Sequence, residues 1–247
     1  MENITTVVLS RLVAQTRALE VTASNLANAS TPGFHASRTV FTDWLEREPM
    51  AGEPPGGNVV AYTQDRATYR DRTPGERRHT GNPLDLAIGN ADGWFTVMTR
   101  NGPRLTRAGH FALGPDGTIM DTAGNALLDS NGHPLRTTAG DARLTITGDG
   151  TVSGDSGPIG RVGVVRVQDE NKLVAEGANL LRADTSTTQV RTPQIVQGAI
   201  EGSNVQPVLE LNRMMDDMRS FQLTTQMLQS ESDRMAGAIQ KILAKGS

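Results

Sequence analysis

The sequence predicts an α+β fold: a discontinuous domain of N- and C-terminal long helices, coiled-coil-like in their pairing, plus an antiparallel β-rich central domain. Three observations predict it. Steps of four and three alternate along Val8, Leu12, Gln15, Leu19, Thr22, Leu26 and Ala29 near the start, most of them apolar. The same alternation runs through Leu211, Met214, Met218, Phe221, Thr225, Leu228, Ser232, Met235, Ile239 and Ile242 near the end. Between them lie the hairpin-turn pairs Asn101-Gly102, Asp116-Gly117, Asn131-Gly132 and Asp149-Gly150. A spacing of about 3.5 residues puts side chains on one helical stripe, whereas Asn-Gly and Asp-Gly supply the positive φ of tight β-hairpins.

The N-terminal helix should stop between Asn28 and Thr31, because Pro32 disfavours helical geometry at Thr31 and Gly33 then permits a turn. Gly33 is expected at positive φ, a conformation open to glycine and unfavourable for a β-branched residue. Residues 46–80 hold Pro49, Pro54, Pro55, Gly56 and Gly57 ahead of a polar Arg/Asp stretch and read as a connector. Short alternating runs give candidate strands at 94–99, 104–106, 110–113, 142–146 and 162–167, with further ones at 118–120 and 126–128. Asn204 is expected to cap the C-terminal helix, with Pro207 in its first turn, where a missing N–H costs nothing. Running to Leu243, that helix spans about 55–60 Å. Its stripe needs a second helix, and the N-terminal one is the nearest candidate. The unmatched length is expected to face neighbouring copies. The expected division is 1–45 and 205–247 as a terminal helical domain, 46–80 as the connector and 81–204 as the β-rich domain. The expected assembly interface is Val8, Leu12, Leu19, Leu26, Leu211, Met214, Met218, Phe221, Leu228, Met235, Ile239 and Ile242. Met214, Met215, Met218, Met227 and Met235 suit such a seam, since thioethers adapt to irregular gaps.

Composition narrows the function classes. Of 247 residues, 36% are hydrophobic and 4% aromatic, with 26 Gly and 12 Pro, so the core is modest and much interrupted by turns. The net charge of −3 gives no electrostatic reason to expect a nucleic-acid or membrane-surface ligand. With no cysteine, disulfides, thiol nucleophiles and thiolate metal sites are excluded. The first twenty residues carry Arg11, Arg17 and Glu20 and lack the basic start and apolar run of a cleaved secretory signal. No apolar run approaches the roughly 20 residues that cross a bilayer.

Catalytic signatures are missing as well. His35, His79, His110 and His133 are scattered and none pairs at zinc-site spacing. The run from Asp149 to Asp155 matches no calcium loop and is explained by turn chemistry. No GxSxG elbow, Walker A loop or strand-borne GxGxxG occurs. No enzyme activity, catalytic residue, cofactor or metal is expected. Arg66, Arg70, Arg72, Arg77 and Arg78, interleaved with Asp65, Asp71 and Glu76 around Tyr69, read as a solvated or subunit-contacting face. The rival classes are a carbohydrate-active enzyme on the β region and a secreted adhesin with coiled-coil ends. The first needs a carboxylate pair in a cleft and the second an exposed binding patch at the β tip.

Four stretches carry a family resemblance. Residues 24–34 contain Asn25, Leu26, Asn28, Thr31, Pro32, Gly33 and Phe34, and this eleven-residue string resembles the N-terminal signature of flagellar rod and hook proteins. Residues 80–88, with Gly81, Asn82, Pro83, Leu84 and Asp85, follow in order, then 104–111, then 197–205 with Glu201, Ser203, Asn204 and Val205. The family's usual Gly-Asp-Gly and paired Asn are replaced by Ala91-Asp92-Gly93 and Ser24-Asn25. The resemblance implies a helical inner domain from both termini, a β-rich outer domain, and helical assembly around an export channel. It also implies export by the flagellar type III apparatus without a cleaved signal. The implied partners are other rod proteins and copies of the chain itself, with no nucleic acid and no membrane insertion. Residues 62–71 and the Asp233-Arg234-Met235 tail look most like the proximal-rod members, with the distal-rod members as the alternative.

Overall fold

The computed structural model describes residues 2–47, 59–137 and 143–245, which form two compact units. The first comprises Met1–Ala27, Ser37–Tyr69 and Gln206–Ser247; the second comprises Asn28–Ala36 and Arg70–Val205.

In the first unit α1 (Glu2–Ala27) packs against α2 (Pro207–Lys245), and strands β1 (Ser37–Arg47) and β2 (Val59–Arg70) form a two-stranded sheet. The helices are antiparallel: Thr22 lies 3.5 Å from Asp217 and Asn25 lies 3.2 Å from Glu210, so advancing along one helix means retreating along the other. With 26 and 39 residues, they are about 39 and 58 Å long.

This corrects the expected fold class. The chain is α+β with an antiparallel β-rich centre. However, its terminal part is not a domain of two long coiled-coil-like helices. Among the described residues there are two α-helices, α1 is a third shorter than α2, and their unit includes β1 and part of β2. The seam keeps steps of four and three but is not the expected stripe. On α2 the covered positions are 210, 214, 217, 221, 224, 228, 231 and 235, whereas Leu211, Met218, Thr225 and Ser232 are exposed. The physical reason is that apolar residues line more than one face of α2. The face that meets α1 alternates Glu210, Asp217, Thr224 and Glu231 with Met214, Phe221, Leu228 and Met235, and Leu211 and Met218 lie outside it.

The second unit is built from short antiparallel strands: β3 (Arg77–His79), β4 (Leu86–Ile88), β5 (Gly93–Thr99), β6 (Gly102–Thr106), β7 (Phe111–Leu113), β8 (Ile119–Asp121), β9 (Ala126–Leu127), β10 (Thr145–Ile146), β11 (Thr151–Gly154), β12 (Gly157–Arg161), β13 (Val164–Val167), β14 (Leu173–Gly177), β15 (Leu180–Ala183), β16 (Thr187–Gln189), β17 (Ile195–Gln197) and β18 (Ala199–Glu201). A nine-stranded sheet runs β14-β15-β6-β5-β9-β8-β7. Opposite β6, β5 pairs β13 through Gly93, Trp94 and Phe95 and β9 through Val97 and Met98, and β13 also pairs β16. The remaining sheets are β10-β11-β12, β17-β4 and β18-β3. At the four turn pairs Gly102, Gly117, Gly132 and Gly150 all have positive φ, between 76° and 98°.

Alternation along β5 sends side chains to two cores. Phe95 and Val97 join Leu86, Phe111, Ile119 and Leu127 on one side, where the Phe95 and Phe111 rings meet edge to face at 5.5 Å. Trp94 joins Leu105, Val165, Val167, Leu173 and Leu181 on the other. Each buried aromatic or branched side chain contributes about 1.5–3 kcal/mol.

Candidate functional site

The signature residues do not gather on one exposed surface. They converge on three buried polar knots, two in the second unit and one in the first.

The first knot centres on Glu201, which is 2% exposed at the end of β18. Its Oε1 accepts from His35 Nε2 at 3.0 Å and from the Gly75 amide at 3.2 Å, and its Oε2 accepts from Arg107 Nη1 at 3.1 Å. Its backbone carbonyl accepts from the Gly33 amide at 2.8 Å. Burial opposes ionisation of Glu201, but the His35 hydrogen bond, the Arg107 and His35 charges and the Gly75 amide outweigh it and hold the carboxyl below its ordinary value. Arg107 is 1% exposed, lies 5.3 Å from the centre of the Trp94 ring and donates through Nη2 to the Ala91 carbonyl. Burial lowers its pKa and the Glu201 charge resists this, so it remains a cation.

Gly33 sits at φ 68°, and a Cβ there would lie 2.3 Å from the Arg107 carbonyl carbon. The turn therefore needs glycine for both its conformation and its close backbone approach. Around it Thr31 bonds Asn28 through its amide and hydroxyl, Phe34 N–H donates to the Thr31 carbonyl, and the Pro32 carbonyl accepts from Asn179 Nδ2. Asn204 was expected to cap α2, and here the expectation is corrected. Its Oδ1 accepts from the Ala36 amide at 2.7 Å, and its Nδ2 donates to the carbonyls of Asp71 and Thr73 at 3.2 and 2.8 Å. The side chain is spent on holding three chain segments together. Ser203 Oγ accepts from the Val205 amide, and Val205 is buried.

The second knot centres on Asp85, 3% exposed. It accepts from Thr80 Oγ1 at 2.6 Å, Asn82 Nδ2 at 3.1 Å and His110 Nδ1 at 2.6 Å. Asn82 Oδ1 in turn accepts from the Leu84 amide, the Pro83 carbonyl accepts from Gln197 Nε2, and the Gly81 and Gly198 amides donate to Gly198 and Asp85 carbonyls respectively.

The third knot lies in the first unit. Asn25, 1% exposed, brackets the Ser37 backbone, accepting its N–H and donating to its carbonyl, both at 2.9 Å. The same Nδ2 reaches Glu210 Oε2 at 3.2 Å, and Glu210 Oε1 accepts from Arg38 and Arg213 at 2.7 Å each. Beside it a cleft of about 290 Å³ is lined by Ala18, Val21, Thr22, Arg38, Asp216 and Asp217 among others. Burial raises the Asp217 carboxyl above its ordinary value, with Asp216 and Glu210 adding to the shift.

Of the residues expected at the interface, Val8 is buried, while Leu12, Leu19, Leu26, Met214, Phe221, Leu228 and Met235 are half-buried. Leu211 and Met218 are exposed, and Ile239 and Ile242 fall outside the described side chains. The sequence reading missed His35, Arg38, Arg107, Glu210 and Arg213 as partners. For Glu210 a signal existed, a carboxylate next to an apolar stripe with an arginine three residues on. Among the described residues no group of three or more His, Asp or Glu could hold a metal ion, and no helix is long and apolar enough to cross a membrane.

Comparison with known proteins bears on these stretches. Residues 7–35 match the family described as flagella basal body rod protein, and residues 196–241 match the flagellar basal body rod FlgEFG protein C-terminal family. Over 98% of both chains the sequence is 33% identical to the flagellar basal-body rod protein FlgF of Caulobacter vibrioides. It is 33% identical to the FlgF of Escherichia coli over 91% of each chain. To the flagellar basal-body rod protein FlgG of Agrobacterium fabrum it is 30% identical, over 93% of this chain and 95% of the relative.

Proposed function

The chain belongs to the flagellar basal-body rod protein family, and from that premise we propose how its two units divide the work of a rod subunit. It is a structural component of the flagellar basal body and a partner of other rod components. In the reading we favour, the α1–α2 unit packs against neighbouring subunits to build a tube, and the β-rich unit stiffens the shaft that transmits torque. The tube surrounds the export channel, and the chain reaches it through the flagellar type III apparatus. Its rod position is that of the relatives named FlgF, the proximal rod, a reading supported by the Caulobacter vibrioides FlgF, which matches over 98% of both chains where the Agrobacterium fabrum FlgG matches over 93% and 95%.

One observation carries the assembly reading. Leu9, Val13, Val208, Leu209, Leu211, Met215, Met218, Leu223 and Met227 are all large apolar residues of α1 and α2, and each is at least 43% exposed. Single exposed apolar residues are ordinary, but a helix pair studded with them points to partners. Each leucine covered on assembly contributes about 1.5–3 kcal/mol. Leu223, 67% exposed, offers the test. Leu223→Asp is expected to leave the isolated chain folded, because the side chain touches little within it, and to abolish incorporation into purified basal bodies and motility. Normal incorporation of the variant would overturn the reading.

A further inference from the structure

We propose that Glu210, gripped by Asn25, Arg38 and Arg213, is a register lock that selects one alignment of α1 on α2. The inference concerns pairing inside one chain and holds whether or not the outward faces serve assembly.

The apolar part of the seam cannot select a register by itself. On α2 the half-buried apolar residues are Met214, Phe221, Leu228 and Met235, one every seven positions. Sliding α2 by seven residues, about 10.5 Å, sets each of them where another of similar bulk had been. The alternate seam positions are Glu210, Asp217, Thr224 and Glu231, and these are not equivalent. Only Glu210 is 1% exposed and bonded to two arginines as well as to Asn25. After a seven-residue slip Asp217 would stand opposite Asn25. Its carboxylate is one methylene shorter, and three residues beyond it stands Ser220 where Glu210 has Arg213. The other seam carboxylate with an arginine three residues on, Glu231 beside Arg234, lies three heptads away, about 31 Å along the axis. After one heptad the carboxylate opposite Asn25 lacks the arginine of its own helix, and after two heptads Thr224 stands there and gives Arg38 no carboxylate, so both alignments are disfavoured. A single buried polar contact fixing the register of an otherwise degenerate helix pair is a known use of such groups.

The chain has no cysteine, so engineered pairs report on register without background. Thr22→Cys with Asp217→Cys reads the observed alignment, whose side chains approach to 3.5 Å. Thr22→Cys with Thr224→Cys reads the one-heptad slip. Full-length protein treated with a short bifunctional thiol reagent is expected to cross-link the first pair at least about tenfold faster than the second. Adding Glu210→Leu should bring the two rates within about threefold, and adding Glu210→Gln, which keeps the hydrogen bond to Asn25, should leave most of the preference. An unchanged tenfold preference in the Glu210→Leu background overturns the proposal. If Glu210→Leu cross-links neither pair, Arg213→Ala decides. A preference reduced at least about twofold supports the lock, and an unchanged one sinks it.

Discussion

Replacing Gly33 by alanine tests the turn that leads out of α1. The residue sits at φ 68°, where a side chain costs about 1–2 kcal/mol. A Cβ would also lie 2.3, 2.4 and 2.5 Å from the carbonyl carbon of Arg107, the amide of Ala108 and the carbonyl oxygen of Arg107. These are backbone atoms, which cannot swing aside as a flexible side chain would, so the turn must move. Overpacking of this kind costs about 1–3 kcal/mol. The displaced turn also weakens the 2.8 Å bond from the Gly33 amide to Glu201, a loss of about 1 kcal/mol. Together the loss is about 3–6 kcal/mol, and urea midpoints should fall by about 1.5–3 M for a slope near 2 kcal/mol/M. The contact sharpens the expectation from sequence, in which a β-branched residue was the unfavourable one: alanine is expected to fail too, and valine more severely. Urea titration of the isolated protein, followed by near-ultraviolet circular dichroism, measures the loss. A midpoint within about 0.3 M of wild type for Gly33→Ala would refute the packing argument.

Three further outcomes are expected. Because the Glu201 carboxyl is held below its ordinary value of 4.5, it adds stability above that value and loses it as pH falls through the depressed one. Glu201→Gln should therefore be strongly destabilised at pH 7 and approach wild type below about pH 4, as melting temperatures across pH 3–8 would reveal; a constant gap would contradict it. Asp217 has the opposite sign: its raised value means a contribution present in acid and lost as pH rises, so Asp217→Asn should melt higher than wild type at pH 7 and equally at pH 3. An equal melting temperature at pH 7 would count against that assignment. Phe221→Asp places a carboxylate on the half-buried seam and should loosen the helix pair by about 2–4 kcal/mol. Hydrogen exchange should then rise in 207–235 and stay unchanged in 93–106, whereas uniform protection would mean that Phe221 is not on the seam.

The β-rich centre was legible because Asn-Gly and Asp-Gly turns announce themselves locally, and β5 and β6 were found on either side of Asn101-Gly102. Strands such as Leu173–Gly177 and Thr187–Gln189 were not, since most of their side chains are exposed and alternation leaves no mark on the sequence. On α2 the periodicity was right and the phase was off by one residue at every second position. Apolar spacing reports that a face exists, and Leu211 and Met218 lie on a face other than the one α1 covers. The polar knots were hidden for a different reason. Glu201 finds Arg107 94 residues away and His35 166 residues away, and no local pattern connects such groups. Asn204 looked like a helix cap because a cap and a clamp use the same side-chain amide.

Those separations also dictate an order of folding. β3 pairs with β18 and β4 with β17, so the first strands of the second unit wait for its last. The Gly33 amide, His35 Nε2 and the Ala36 amide likewise gain their hydrogen-bond partners only when Glu201 and Asn204 exist. Closing loops of this size comes late and slowly in folding, because entropy is lost before the distant contacts can form. The early segments of the second unit therefore stay open until residue 204 is available to close them.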